Sequence, residues 1–513
     1  MARGDSRHRP TRFDPMGTSH GADLPDHRDL GGRVEEAGWD QAIPGLAKAV
    51  AGLDELVANA HLSLADRAVV LAQPGLVDPR RLVRHAAAAS VSRVVRTTTQ
   101  LPDLLTNRRP LNDPQGWLLD TAIEAFVDQL VLAGAAGAEL GRLIEGAGSL
   151  FPDVLRAELA RRDLTPVPVP IPTVQAELDA AIGPPGTDVP ITVVTGPITR
   201  TPVSQLHRVE TADGRLLFAR ARRPRIAWAL DHDAKLASGA AVALQRLAPE
   251  AGGMGMGPLG FVRLIMRQTL ESTDLRYEAL DLVELGLVVA RAGRPGLRVL
   301  RPSPLRLAER AVTLEHADGV ALTSGAHVAP EAAAALMGIT LESALAEGLF
   351  WADPAPEHLL VAPDGSLVLA GVGTLGRFSP ALRLAGVRTI KGVLTGDFEG
   401  MIEGMAIAGA ITPDVDVTHL LADLGASDAL NPMQILMGGQ SGLLDALSTV
   451  VRLMLANKLE PPVEVILLLR TVFSLGRLVD IIDPGGPGLA GALMELMPRL
   501  PQLIADAEAD FEI

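Results

Sequence analysis

The stretch Gly348–Ser379 restricts what this chain can fold into more than any other part of the sequence. It begins with a loop that carries Asp353 and continues into the apolar run 359–361. A Pro-Asp-Gly-Ser turn at 363–366 then joins this run to a second apolar run, which leads into the glycine-rich segment 371–376. A loop carboxylate placed beside two short strands and a tight turn is a layout found where phosphoryl groups are transferred.

Composition and charge set broader limits. With 513 residues, of which 48% are apolar and 21% charged, the chain can form two or three compact units. The net charge of −15 argues against a nucleic-acid partner, because neutralising phosphates requires an excess of Lys and Arg. The absence of cysteine rules out disulfides and thiol chemistry. The N-terminus lacks the apolar core of a signal peptide. The sequence contains no run of 18 residues without a charged side chain, so we predict no transmembrane helix.

Changes in periodicity divide the chain into five segments of a mostly helical α+β protein. They are a flexible tail at 1–38, an all-helical extension at 39–188, a segment with short strands at 189–319, a larger segment at 320–484, and a helical, acidic tail at 485–513. The extension closes with the Pro-rich spacer Leu164–Pro172, which we expect to be extended rather than helical. Asp213-Gly214 predicts a hairpin turn. We expect 489–504 to form an amphipathic helix packed on its own domain.

Several of these stretches resemble the UbiB/ABC1 family of atypical kinases. Gly348–Val361 is similar to the family's GFFHADPHPGNLLV, and 367–379 is similar to its LALIDFGMVGRLS. Leu459–Pro484 resembles the family's terminal LPPELVLLLRTLLLLEGLARRLDP. The resemblance implies a protein-kinase-like fold of two lobes, with the small lobe at 189–319 and the large lobe at 320–484.

The resemblance also identifies the loop that would cover nucleotide phosphates. Pro197–His207 stands where the family has PIAAASIAQVH, so the central alanines are replaced by Thr199, Arg200, Thr201 and a proline. Small residues in such a loop let backbone amides approach the phosphates. Arginine and proline at these positions weaken that interaction.

Three further small-lobe positions follow from the resemblance. Arg220 replaces the phosphate-orienting lysine of the family's VAVKVQRP, and Glu278 retains the glutamate that pairs with that lysine. We therefore expect an Arg220–Glu278 ion pair. Glu315 belongs to the hinge, whose backbone would hold an adenine.

The large lobe carries the positions that would perform the chemistry. Asp353 corresponds to the catalytic base, whereas His358 replaces the metal-binding asparagine and Gly371 replaces the aspartate of DFG. Mg²⁺ needs oxygen ligands in near-octahedral geometry, which neither glycine nor imidazole supplies. The resemblance thus implies impaired Mg-ATP chemistry, with Asp353 as a remnant of a base, and no metal site.

The helical extension contains one more altered motif. Glu139 and Arg142 stand at the lysine and glutamine of the family's Lys-x-Gly-Gln motif. They could instead be an ordinary exposed pair three residues apart on a helix.

Two functions remain open. The first is a pseudokinase that acts as a regulatory or scaffold factor. The family suggests a setting in isoprenoid-quinone or lipid metabolism, a protein partner such as an intact UbiB-type protein, and a cytoplasmic location with peripheral contact to the inner membrane or to isoprenoid lipid. The alternative is an active ATPase or kinase that uses Asp353 with ATP and Mg²⁺ at an altered phosphate site.

Overall fold

The computed structural model of the chain describes most of the residues that these predictions concern. It covers 29–71, 153–181, 189–230 and 269–512, with gaps at 163, 165 and 166, and scattered residues between 123 and 144 and between 235 and 266. The described part is a mixed, mostly helical α+β structure, which is the fold class that the sequence predicts.

In the part of the chain that the structure describes, five helices with defined bounds precede the first strand. They are α1 at Leu30–Glu36, α2 at Trp39–Ala42, α3 at Leu46–Leu71, α4 at Asp153–Ala160 and α5 at Ile171–Ala180. The prediction of a flexible tail at 1–38 is therefore wrong for its last residues, because α1 begins at Leu30. The Asp29 side chain accepts a hydrogen bond from the Gly32 amide and caps α1, while Leu30 and Val34 are buried. An aspartate cap followed by apolar residues four positions apart favours a helix.

The spacer also departs from expectation. Residues 167–170 have no regular secondary structure, but α5 begins at Ile171 with Pro172 in its first turn. Proline is tolerated there, because the first amides of a helix have no partner within it. Val174 and Leu178 of α5 then pack against one face of the small-lobe sheet.

Five strands form the antiparallel small-lobe sheet. They are β1 at Ile191–Arg200, β2 at Ser204–Thr211, β3 at Leu216–Arg222, β5 at Pro302–Leu307 and β6 at Ala311–Glu315, and their order is β1-β2-β3-β6-β5. The hairpin turn between β2 and β3 lies at Asp213-Gly214, as predicted, with Gly214 at φ 80°. Helix α6, Leu275–Ala292, contacts β5 and β6 and presents Glu278 toward β3.

Two smaller sheets shape the stretch Gly348–Ser379. Strands β4 at Leu297–Val299, β7 at Val320–Ala321, β9 at Leu359–Val361 and β10 at Leu367–Leu369 form one sheet, and β8 at Leu349–Trp351 pairs with β11 at Leu375–Arg377 in the other. The register places Leu359 opposite Leu369 and Trp351 opposite Leu375. The glycine-rich segment is thereby held beside the loop that carries Asp353.

Helices complete the large lobe and form the C-terminal tail. They are α7 at Pro330–Ala346, α8 at Pro380–Thr395, α9 at Phe398–Ile407, α10 at Val417–Ala426, α11 at Pro432–Met437, α12 at Gly439–Ala456, α13 at Val463–Ile482, α14 at Gly488–Leu496 and α15 at Leu500–Glu512. The predicted C-terminal helix is divided into α14 and α15, and its packing on the chain's own domain is confirmed, since Leu489, Leu496 and Leu503 join the main core. Within the described ranges, no helix combines the length and the apolar character needed to cross a bilayer.

Candidate functional site

The carboxylate of Asp353 is buried between two arginines. Arg142 approaches it with both terminal nitrogens, Nη1 at 2.9 Å from Oδ1 and Nη2 at 2.7 Å from Oδ2. Arg470 of α13 donates from Nη2 to Oδ1 at 2.7 Å. The Asp353 residue is only 7% exposed. Its oxygens are therefore occupied by guanidinium groups from the N-terminal extension and from a late helix of the large lobe.

This environment determines the proton affinity of Asp353. Burial alone would raise its pKa, because a charged carboxylate loses hydration. The charges of Arg142 and Arg470 outweigh burial and hold the pKa far below the usual range. A carboxylate with so low a pKa is a weak acceptor for a hydroxyl proton, since a general base works best with a pKa near the ambient pH.

His358 lies directly beside this cluster. It ends the short turn Pro356–His358 and is 2% exposed. Its Nε2 is 3.7 Å from Asp353 Oδ2, which is beyond hydrogen-bond distance, and neither ring nitrogen has a hydrogen-bond partner. The edge of its ring faces Trp351, whose Nε1 donates to the Val372 carbonyl at 2.7 Å. His358 fills the space between Asp353 and the glycine-rich segment.

Gly371 is enclosed by three polar side chains. A Cβ atom built on Gly371 would lie 2.4 Å from Arg220 Nη2, 2.6 Å from Glu278 Oε1 and 2.7 Å from His358 Nδ1. Such distances are shorter than real Cβ contacts allow. A side chain at the position that would carry a metal-binding aspartate therefore requires the ends of the Arg220, Glu278 or His358 side chains to shift.

Arg220 and Glu278 form the ion pair that the sequence predicts. Arg220 Nε lies 3.2 Å from Glu278 Oε1, and both residues are buried. Arg220 also donates from Nη2 to the Ala370 carbonyl at 2.8 Å and from Nη1 to the Ser204 hydroxyl at 3.2 Å. The guanidinium thus joins β3, α6, the phosphate-loop position and the segment before Gly371. The guanidinium nitrogens of Arg220 thus all contact protein groups.

The loop between β1 and β2 satisfies its own backbone. The Thr201 hydroxyl accepts hydrogen bonds from the amides of Val203 and Ser204, and the Thr201 amide donates to the Ser204 carbonyl at 2.9 Å. Pro202 has no amide hydrogen. Phosphate binding by such a loop requires amides that point outward. Thr199 is also buried, and its hydroxyl has no hydrogen-bond partner among the described residues.

Arg200 and Arg223 lie close together at the same loop. Arg223 donates from Nε to the Thr201 carbonyl at 3.0 Å and from Nη1 to the Val167 carbonyl at 2.7 Å. Burial, with a smaller contribution from the charge of Arg200, lowers the pKa of Arg223 to about 10. Arg223 therefore ties the loop to the spacer.

Glu315, at the hinge position, is directed toward neighbouring strands. Arg301 donates from Nη2 to Oε2 at 2.7 Å, and Arg298 Nη2 lies 3.0 Å from Oε1. Burial would raise the pKa of Glu315, but these hydrogen bonds lower it below its ordinary value. The side chain of Glu315 is therefore engaged in joining β4, β5 and β6.

Sequence reasoning missed the contacts that define the state of Asp353. Glu139 lies outside the described residues, and Arg142 binds Asp353. Arg470 had no predicted role. Its position in the apolar sequence Leu467–Phe473 was the available signal, because a charge on a buried helix face requires a partner.

The residues present do not fit a Mg-nucleotide. Position 371 is a glycine and lacks an oxygen ligand, position 358 presents an imidazole, and Arg220 is bonded to protein groups. Across the part of the chain that the structure describes, no cluster of three or more His, Asp or Glu residues could hold a metal ion. Among the described residues, positions 358 and 371 therefore supply no oxygen ligand for Mg²⁺.

Comparisons with known proteins bear on this geometry. The ABC1 atypical kinase-like domain matches residues 168–405. The Arabidopsis thaliana protein ACTIVITY OF BC1 COMPLEX KINASE 3, chloroplastic, is 33% identical over 94 residues, which cover 18% of this chain and only 13% of that protein. A solved structure of Rv3197 from Mycobacterium tuberculosis, in complex with erythromycin, covers 64% of this chain and 86% of its own, with 17% identity and a TM-score of 0.40. The resemblance first indicated by Gly348–Ser379 is confirmed, because residues 168–405 match the ABC1 atypical kinase-like domain.

Proposed function

We propose that this protein is a pseudokinase, an ABC1-type domain that acts by binding rather than by phosphoryl transfer. The observation that carries the proposal is the enclosure of Gly371 by Arg220, Glu278 and His358. Phosphoryl transfer depends on metal ions that neutralise the developing charge. A position that excludes the Cβ atom of an aspartate cannot contribute that metal ligand without rearrangement.

The state of Asp353 supports the same proposal. A catalytic carboxylate must reach the hydroxyl that it deprotonates. Here both oxygens are within 3 Å of arginine nitrogens, and the low pKa further weakens the carboxylate as a base. Arg142 and Arg470 give Asp353 a structural part, because it joins the extension to helix α13.

We expect the binding role to be regulatory or scaffolding, with a protein partner that can be an intact UbiB-type protein. The ABC1 family suggests a setting in isoprenoid-quinone or other lipid metabolism, with the protein in the cytoplasm and in peripheral contact with the inner membrane. This part of the proposal rests on analogy to the family, since one fold supports many functions. Affinity purification of the tagged full chain from soluble and membrane fractions tests it. A stoichiometric partner supports the scaffold role, and recovery of the chain alone from both fractions contradicts it.

Thermal unfolding with ATP tests the loss of catalysis. A ligand present at 100 times its Kd stabilises a protein by about 2.7 kcal/mol, which is readily visible as a shift in Tm. We expect no Mg²⁺-dependent shift with ATP. A rise of several degrees that requires Mg²⁺ would contradict the proposal.

Turnover measurements separate the proposal from its rival, an ATPase or kinase that uses Asp353. We expect no ATP hydrolysis by the purified full chain above that of Asp353→Asn. Hydrolysis that persists in Asp353→Asn indicates a contaminating enzyme. Hydrolysis that disappears in the folded Asp353→Asn protein would establish the rival and overturn the pseudokinase proposal.

A further inference from the structure

A groove lies outside the Asp353 region, at one end of the large lobe. It has a volume of about 330 Å³ and lies between the first turns of α7, the end of α13 and the length of α14. Its floor is apolar, with Ala333, Met337, Val479 and Ala492 among the lining residues, all of them buried. None of the lining residues contributes to the Asp353 cluster.

Small residues create the space in this groove. The residues that line it include Ala333 and Ala334 on α7 and Gly488, Gly491 and Ala492 on α14. Gly488 has φ 51°, a backbone conformation that favours glycine, and a Cβ there would lie 2.1 Å from Gln440 Oε1. The groove is therefore a consequence of the close approach of α14 to α12 and α13.

The rim of the groove is negatively charged. Glu331, Asp483 and Glu495 all line it. Glu495 is compensated by Arg294, whose Nη1 lies 3.4 Å away, but among the described residues no basic nitrogen lies within 4.0 Å of the Glu331 or Asp483 carboxylate. Asp483 also directly follows the C-terminal end of α13, where the helix dipole adds partial negative charge.

We propose that this groove binds a small amphiphilic cation. Its hydrocarbon part would contact the floor formed by Met337, Val479 and Ala492, and its ammonium group would pair with Glu331 and Asp483. The volume is at the lower end of the range for small-molecule pockets.

Three probes of equal length test the two parts of the proposal. Octylammonium, octanol and octanoate each contain eight carbons in a straight chain and differ in charge, and each is titrated into the full chain by isothermal calorimetry. We expect octylammonium to bind about two- to fivefold more tightly than octanol, because ion pairing adds to apolar contact. We expect octanoate to bind more weakly than octanol.

Variants locate the binding. The double variant Glu331→Gln with Asp483→Asn should reduce octylammonium affinity to that of octanol. The double variant Glu399→Gln with Asp414→Asn, which alters two exposed carboxylates outside the groove, is the matched control for the change in net charge and should leave the affinity unchanged. Ala334→Leu should weaken octylammonium and octanol alike, because the larger side chain enters the groove. Position 334 is exposed, so this variant is expected to fold.

Three results would overturn the proposal. They are the absence of octylammonium binding, equal binding of octanoate and octylammonium, and an octylammonium affinity that the folded Glu331/Asp483 double variant leaves unchanged. Because no groove residue belongs to the Asp353 site, none of these results bears on the pseudokinase proposal.

Discussion

Arg142 and Asp353, which are 211 residues apart in sequence, form a two-pronged ion pair, with Nη1 at 2.9 Å from Oδ1 and Nη2 at 2.7 Å from Oδ2. The guanidinium fork matches the two oxygens of a carboxylate, and this bidentate geometry is among the strongest that a side-chain pair can adopt. Because Arg142 belongs to the extension and Asp353 to the large lobe, the pair joins two segments that the sequence separates. In an active kinase fold, the same carboxylate would face a substrate.

The first prediction concerns the coupling between these residues. Arg142→Ala leaves Asp353 with Arg470, so we expect the free energy of unfolding to fall by about 1–3 kcal/mol. Asp353→Asn leaves two guanidinium groups without their carboxylate, and we expect a larger loss of about 3–5 kcal/mol. Chemical denaturation of the wild type, both single variants and the double variant gives the interaction energy.

A surface pair provides the control for this cycle. Arg161→Ala removes a partner of Glu158, but the Arg161 side chain is 69% exposed, and the loss should stay below about 1 kcal/mol. If the effects of Arg142→Ala and Asp353→Asn add to within about 0.5 kcal/mol, the two residues are energetically independent and the proposed joining role of Asp353 is wrong.

The second prediction tests the enclosure of Gly371. In Gly371→Ala the new methyl group must displace Arg220, Glu278 or His358, so we expect a loss of about 1–3 kcal/mol in the free energy of unfolding. Gly425→Ala is the matched control, because nothing lies within 4 Å of its Cβ position in α10. The control should be stabilised by up to about 1 kcal/mol through its higher helix propensity. Equal behaviour of the two variants would show that position 371 has room for a side chain.

Local sequence was sufficient for the elements that surround the site. The Asp213-Gly214 turn fixes the β2–β3 hairpin, and this hairpin places Arg220 where Glu278 can reach it. The resemblance at Gly348–Ser379 similarly identified the loop and the two strands beside it. Turn chemistry and alternating apolar residues act over a few residues, so a reader of the sequence can recognise them.

The side-chain contacts that occupy Asp353 and the loop between β1 and β2 could not be predicted from local sequence. Arg142 and Arg470 reach Asp353 from distant segments, and nothing near either arginine specifies which carboxylate it meets. Local sequence also does not predict the hydrogen bonds that the Thr201 hydroxyl accepts from the loop amides, because they depend on the conformation of the folded loop. Side-chain partners of this kind are set by tertiary packing.

The third prediction concerns Arg377, which fixes α6 against the glycine-rich segment. Its Nη2 lies 2.8 Å from Asp281 Oδ1 and 2.6 Å from Glu284 Oε2, and these two carboxylates raise its pKa despite its burial. Arg377→Ala removes the shared counter-ion, and we expect the free energy of unfolding to fall by about 2–4 kcal/mol with faster amide exchange in α6.

Arg291→Ala is the matched control for Arg377, because Arg291 also lies on α6 but makes an exposed pair with Glu347. The Arg291 side chain is 59% exposed, so the loss should remain below about 1 kcal/mol. Unchanged amide exchange in α6 of Arg377→Ala would show that the helix is held by its apolar contacts alone.

The fourth prediction is a pH dependence centred on His207, a buried residue that connects the phosphate-loop position to the spacer. Its Nδ1 lies 2.7 Å from the Thr195 carbonyl, so this nitrogen carries the hydrogen, and its Nε2 can accept from Gln205 Nε2 at 3.1 Å. Gln205 Oε1 in turn accepts from the Val169 amide at 2.7 Å. This chain of hydrogen bonds requires a neutral imidazole, because a protonated Nε2 would face another donor.

Burial lowers the pKa of His207, and the hydrogen bond to Thr195 only partly offsets this effect. A folded pKa below the unfolded value of about 6.5 means that the stabilisation is fully present above pH 6.5 and is lost as the pH falls from there through the folded pKa. The limiting slope for one proton is about 1.4 kcal/mol per pH unit. His207→Asn keeps a donor for Thr195 but cannot titrate. Denaturation between about pH 7.5 and about pH 5.5 should therefore show a steeper loss of stability in the wild type than in His207→Asn, and parallel curves would mean that His207 does not control it.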